Sequence, residues 1–92
     1  MTQAPYRLAI TATARRQLAE QLPEAIAFAA HELITGPLLA NPHRVGKQLM
    51  PPLEDRHSAR RGTYRILYRI DDTHRVVTVL AVGPRSDIYR PR

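Results

Sequence analysis

The stretch HSARRGTYRILYRIDD, His57 to Asp72, decides the fold. Gly62-Thr63 separates two segments of alternating character, and glycine at the first central position suits a two-residue type II′ hairpin turn. With that turn Arg61 faces Tyr64, Arg60 faces Arg65, Ser58 faces Leu67 and Arg56 faces Arg69. One face then reads Arg56, Ser58, Arg60, Arg65, Leu67, Arg69. The other reads His57, Ala59, Arg61, Tyr64, Ile66, Tyr68, Ile70, and carries most of the apolar residues. A slip of one residue would exchange the faces and bury the guanidinium groups, so the hydrophobic pattern sets the register. The first face gathers four arginines, two of them directly opposed. Like charges facing each other across a strand pair are destabilising. A charge run is usually a solvated face and nothing more. Here the cations are all arginine, whose planar forks match phosphate oxygens, and they converge, which a bound anion would offset. The face is therefore expected to hold a polyanion.

Working outward, Asp71 to His74 reads as a second turn, with Asp71 and Asp72 supplying turn chemistry. Strands are expected over Arg56–Arg61, Tyr64–Ile70 and Arg75–Val82, the last apolar on both faces like a covered central strand. Upstream, Tyr6, Leu8 and Ile10 share one face of a first strand. Thr11 or Thr13 is placed to cap a helix that carries Leu18 and Leu22 on one side. Pro23 interrupts and opens a second helix, where Ile26, Ala29, Ala30, Leu33 and Ile34 fall at helical spacing until Gly36-Pro37. The segment 36–52 holds four of the eight prolines and reads as a connecting surface loop. The expected fold is α+β: an N-terminal strand, two antiparallel helices, then a three-stranded antiparallel meander forming one sheet, all in one domain spanning 1–92.

The 92 residues carry 14 Lys and Arg against 8 Asp and Glu, a net +6 that points to an anionic partner. There is no Cys, which removes disulfides, thiolate chemistry and Cys-based zinc sites. No apolar run approaches membrane-spanning length, and the first ten residues lack the pattern of a signal peptide, so a cytoplasmic protein is the expectation. His31, His43, His57 and His74 share no metal-ligand spacing, and neither a metal nor a cofactor is expected. After Gly83-Pro84 the tail adds Arg85 and Tyr89. Tyr89 suits core packing, base stacking or proton transfer.

The run LEDRHSARRGTYRILYRIDD, followed by a Val-rich strand and GPRSDIY, resembles the RelE/ParE superfamily of type II toxin–antitoxin toxins. ITATARRQLAEQLP and NPHRVGKQL resemble the family's opening strand–helix and middle loop, so the likeness covers nearly the whole chain. Arg85 followed by Tyr89 makes it more similar to the RelE branch. That resemblance implies a RelE-like fold and a ribosome-dependent mRNA endonuclease (an mRNA interferase) that inhibits translation, arrests growth and is silenced by a cognate antitoxin. The ParE-like alternative is a DNA gyrase inhibitor without nuclease activity, and a third reading is a basic nucleic-acid-binding module. By resemblance Arg60, Arg65, Arg85 and Tyr89 are the catalytic residues, with Lys47, Arg56, Arg61 and Arg69 binding RNA. Ser58 stands where the family often has Lys or Arg, which leaves the general base to Arg56 or Lys47. The implied chemistry is metal-independent attack of a 2′-OH on the adjacent phosphate.

Overall fold

The computed structural model describes residues 4–84. Strand β1 (Arg7–Ile10) leads into helix α1 (Ala12–Arg16), which runs on as a π-helical stretch over Gln17–Gln21. Helix α2 (Glu24–Thr35) is followed by two one-turn helices, α3 (Pro37–Ala40) and α4 (Pro42–Val45). The strands β2 (Lys47–Gln48), β3 (His57–Arg61), β4 (Tyr64–Asp71) and β5 (Val76–Pro84) follow. They form one five-stranded sheet in the order β1-β5-β4-β3-β2. The meander is antiparallel as expected, but β1 joins it parallel to β5 and β2 adds a fifth strand at the other edge, so the sheet is mixed.

The hairpin has the register read from its sequence, from Arg61↔Tyr64 through Arg60↔Arg65 to His57↔Tyr68. Gly62 takes φ 63 while Thr63 keeps a negative φ, the combination that a type II′ turn requires. The expected Arg56–Arg69 pair does not form. β3 begins at His57, and the Arg56 backbone instead donates to the Leu53 carbonyl (3.0 Å) and accepts from the Leu49 N–H (2.9 Å).

Helices cover one face of the sheet. Ala14, Ala30, Leu33, Ile34 and Leu38 pack with Ala59, Tyr64, Ile66, Tyr68, Val77, Val79 and Val82 in one buried cluster. Of the α2 positions expected to face the core, Ile26 lies at its margin and Ala29 is exposed. The apolar run of β5 is explained by a bulge. Leu67 pairs with Ala81 and Tyr68 with Val79, so Leu80 is the extra residue. The bulge returns Val82 to the core face that Val77 and Val79 occupy, and it puts Leu80 and Ala81 with Leu67 and Leu49 in a small cluster on the other face. The strand is thus covered by helices on one face only.

β5 outruns β1, and side chains serve the exposed edge. Thr11 caps α1 by accepting the Ala14 N–H (3.1 Å) and donates to the Leu80 carbonyl (2.9 Å). In the π-helical turn the Leu22 N–H reaches back to the Gln17 carbonyl (3.1 Å), and Gln17 Oε1 accepts the Val82 N–H at 2.7 Å. The segment expected to be a plain loop is also organised. Pro37 and Pro42 each stand in a first helical turn, where a missing N–H costs little. Tyr68, fully buried on β4, donates to the Pro42 carbonyl at 2.6 Å and accepts from the Gly46 backbone N–H. Burial, the larger influence, pushes the Tyr68 phenol up to about 12. A Cβ on Gly46 would sit 2.6 Å from both the Ser58 carbonyl and the Tyr68 hydroxyl, so only glycine lets the chain pass this close. The next residue, Lys47, then enters the sheet opposite Ser58.

Candidate nucleic-acid interface

The face away from the helices carries the charge. In register, Lys47, Ser58, Leu67 and Ala81 form one row across β2, β3, β4 and β5. One row towards the hairpin turn lie Arg60, Arg65 and Gly83, and one row the other way lie Arg69 and Thr78. Alternation along β1 adds Arg7, paired with Val76, to the same face. Arg7, Lys47, Arg60, Arg65 and Arg69 form no ion pair among the described residues. Arg60 is exposed and Arg65 half-buried. Two facing guanidinium groups without a carboxylate repel each other and attract any anion that bridges them. Buried Gly83 ends this row, so backbone rather than a side chain lies beside Arg65.

The expected site residues divide by position. Arg60, Arg65, Arg69 and Lys47 come together on one sheet face. Arg56 stands one residue before β3, half-exposed, with Asp55 Oδ1 at 3.8 Å from its buried Nε. Arg61 lies on the helix side, in a hollow lined also by Phe28, Ala29, Glu32, Leu33 and Pro37. Arg85 and Tyr89 lie outside the described residues. Arg7 was missed, although Tyr6, Leu8 and Ile10 on one face of β1 already imply that Arg7 and Ala9 lie on the other.

A second polar group sits at the far end of the sheet and settles its own charges. Asp72 accepts the Tyr6 hydroxyl (2.5 Å) and both its oxygens lie 2.8–2.9 Å from His43 Nε2. The Tyr6 hydrogen bond is the main cause holding the Asp72 carboxyl below the usual range, with the His43 bond next. Asp71 is the true turn residue, accepting the His74 N–H (3.0 Å) and facing His74 Nδ1 (2.9 Å), and the backbone bond lowers its carboxyl most. His57 stands against His43 edge-on (ring centroids 5.8 Å) and against Tyr68 (5.6 Å). Burial, then the His43 charge, pushes the His57 imidazole down. Among the described residues no three His, Cys, Asp or Glu side chains are arranged to hold a metal ion.

A family model described as the ParE toxin of a type II toxin–antitoxin system matches residues 6–89. This chain belongs to the RelE/ParE toxin family. It is 56% identical to Toxin RelE of Mycobacterium tuberculosis over 86 residues, covering 94% of this chain and 88% of that protein. To Toxin RelG of the same organism it is 52% identical, covering 94% and 98%. The crystal structure of the M. tuberculosis RelBE2 toxin–antitoxin complex contains a chain of TM-score 0.83 and 50% identity, matched over 89% of this toxin and 100% of that chain. The intact E. coli RelBE complex shares the fold, with TM-score 0.71 at 20% identity over 86% and 95%. The toxin is thus of the RelE type, and the mixed five-stranded sheet is the architecture of those structures. No helix among its described residues is long and apolar enough to cross a membrane.

Proposed function

We propose that this toxin is a metal-independent endoribonuclease that cuts mRNA on the ribosome and is silenced by a cognate antitoxin. The observation that carries the reading is the Arg60–Arg65 pair, opposed in register on the face away from the helices with no carboxylate paired to either among the described residues. In the reaction the 2′-oxygen bonds to phosphorus, the bond from phosphorus to the 5′-oxygen breaks, and the products are a 2′,3′-cyclic phosphate and a 5′-hydroxyl. Charge grows on the phosphate oxygens, where fixed guanidinium groups stabilise the transition state most. Arg60 and Arg65 clamp the scissile phosphate. By resemblance to the family, Arg85 supports the pentacoordinate charge and Tyr89 orients a base or moves a proton. Lys47, opposite Ser58, and Arg56 line the approach, Arg69 continues it along β4, and Arg61 adds positive charge from the helix side. The antitoxin reading rests on relatives crystallised in complexes described as RelBE2 and RelBE. An acidic, partly disordered segment suits this face and would fold on binding.

Mapping transcript 5′ ends after induction tests the reading. Cuts in phase with codons, absent with Arg65→Ala and suppressed by the antitoxin, are expected. The family model's ParE description favours gyrase inhibition as the second reading. DNA damage without transcript cuts would establish it and sink the nuclease.

A further inference from the structure

The cations of the helix-free face are not evenly spread. Arg60 and Arg65 form one row, and Arg69 stands four residues from Arg65 on the same side of β4. Between them the row of Leu67 and Ala81, 4% and 9% exposed, is apolar and is extended by half-buried Leu49 and Leu80. Beyond it, Arg69 pairs with Thr78, and Arg7 lies on the neighbouring strand, one row further out. Four strand residues span about 13 Å. One internucleotide linkage is too short for that distance, but two fit it.

We propose that Arg69, Thr78 and Arg7 form a second phosphate subsite, which holds the next-but-one phosphate from the Arg60–Arg65 clamp while the two intervening nucleosides and the phosphate between them cross the row of Leu67 and Ala81. This rests on the RNA reading above and deepens it, because it gives the strand a direction and a length. RNA leaves the clamp along β4 towards the far end of the sheet. Thr78 supplies a hydroxyl donor, and the two arginines supply charge, neither of them ion-paired among the described residues. Asp71 and Asp72 border the hollow of about 570 Å³ beside Arg69 and Thr78. Both are engaged, Asp71 by His74 and Asp72 by Tyr6 and His43. Leu67 and Ala81 are buried, and half-buried Leu49 and Leu80, packed against them, offer a base apolar contact and no hydrogen-bonding code, so the subsite adds affinity and register and leaves base selection to other contacts.

The test uses 2′-O-methylated oligoribonucleotides, which the enzyme cannot cleave, of two and four nucleotides. Wild type should bind the tetranucleotide about tenfold more tightly than the dinucleotide at low salt. The Arg7→Gln/Arg69→Gln double variant should lose that gain and show a salt slope for the tetranucleotide smaller by about 0.7, as one lost phosphate contact requires. Both residues are exposed, so the variant should fold. If the dinucleotide binds too weakly to titrate, the tetranucleotide salt slope alone decides. Wild-type affinity and slope in the double variant would overturn the subsite. So would loss of poly-glutamate binding with RNA binding intact, which would give the patch to an acidic protein. Arg65→Ala is the separate control: unchanged affinity for both oligonucleotides in that variant would remove the clamp itself, whatever the double variant shows.

Discussion

The two sides of β4 carry opposite solutions to the same backbone. On one, Tyr64, Ile66 and Tyr68 are buried against the helices, and the Tyr68 hydroxyl both donates and accepts. On the other, Arg65 and Arg69 form no ion pair among the described residues, and Arg65 looks across at another arginine. The first side is complete within the molecule. The second leaves its cations opposed, and on the proposed reading an anion completes it. The same contrast separates the two charged ends of the protein, since Asp72 is matched by Tyr6 and His43 while the Arg60–Arg65 pair has no carboxylate counterpart among the described residues. A strand face would tolerate any polar residue there, so opposed like charges are a local conflict of the kind that functional sites carry.

Substitutions on the two sides should therefore fail in different ways. Tyr68→Ala should have the largest effect, about 3–5 kcal/mol of lost stability, because it empties a fully buried site and frees Pro42 and Gly46. Urea denaturation reads this directly, and a loss below 1 kcal/mol would mean the α4 anchor is dispensable. Arg65→Ala should lower transcript cleavage about 10²–10³-fold. Its stability should be unchanged or higher by up to about 1 kcal/mol once the repulsion is relieved. Sulfate should raise the melting temperature of the wild type more than that of the variant. A destabilised Arg65→Ala that still cleaves would erase the distinction between the two sides.

Gly46→Ala tests the connection between them. Its Cβ would meet Ser58 and Tyr68 at 2.6 Å. About 1–3 kcal/mol of destabilisation is expected, together with weaker RNA binding as Lys47 leaves its register with Ser58. Intact RNA affinity in a destabilised variant would separate Lys47 from the site. The smallest effect is a pH dependence. The His57 imidazole is pushed below its ordinary 6.5 by burial, so the unfolded chain takes up the proton first. Stability is full above about pH 6.5 and falls as the pH drops from there through the folded-state value. The depressed Asp72 carboxyl adds a second loss below about 3.8, as its own folded value is crossed. Melting temperature against pH should lose the upper step in His57→Gln, and the lower step should shrink in Asp72→Asn to the part that the depressed Asp71 carboxyl contributes. An upper step that persists in His57→Gln belongs to another group.

Residues that act on near neighbours were legible without coordinates. The Gly62-Thr63 turn, the register through Arg60↔Arg65 and the sorting of Tyr64, Ile66 and Tyr68 from Arg65 and Arg69 follow from period-two alternation and one permissive glycine. A cap at Thr11 or Thr13 and the start of α2 after Pro23 were legible from capping and proline chemistry, and the structure selects Thr11. The cation face was therefore visible in outline, with its arginines named.

What the tertiary structure alone decided involves contacts far apart in the chain. Nothing local to Arg7–Ile10 says that it lies parallel to β5, a pairing that spans some seventy residues and puts Arg7 on the charged face. The Leu80 bulge lets an apolar run serve two faces, and only its partner strand shows which residue is extra. The proline-rich segment became two helical turns and a strand because Tyr68, twenty-six residues away, binds Pro42 and leaves room for only a glycine at position 46. Asp72 looked like turn chemistry but ties Tyr6 to His43 instead. Periodicity specifies which way a side chain points on its own element. Which element lies beside it depends on the burial and hydrogen bonding of the whole chain, and that sum is made only when the chain folds.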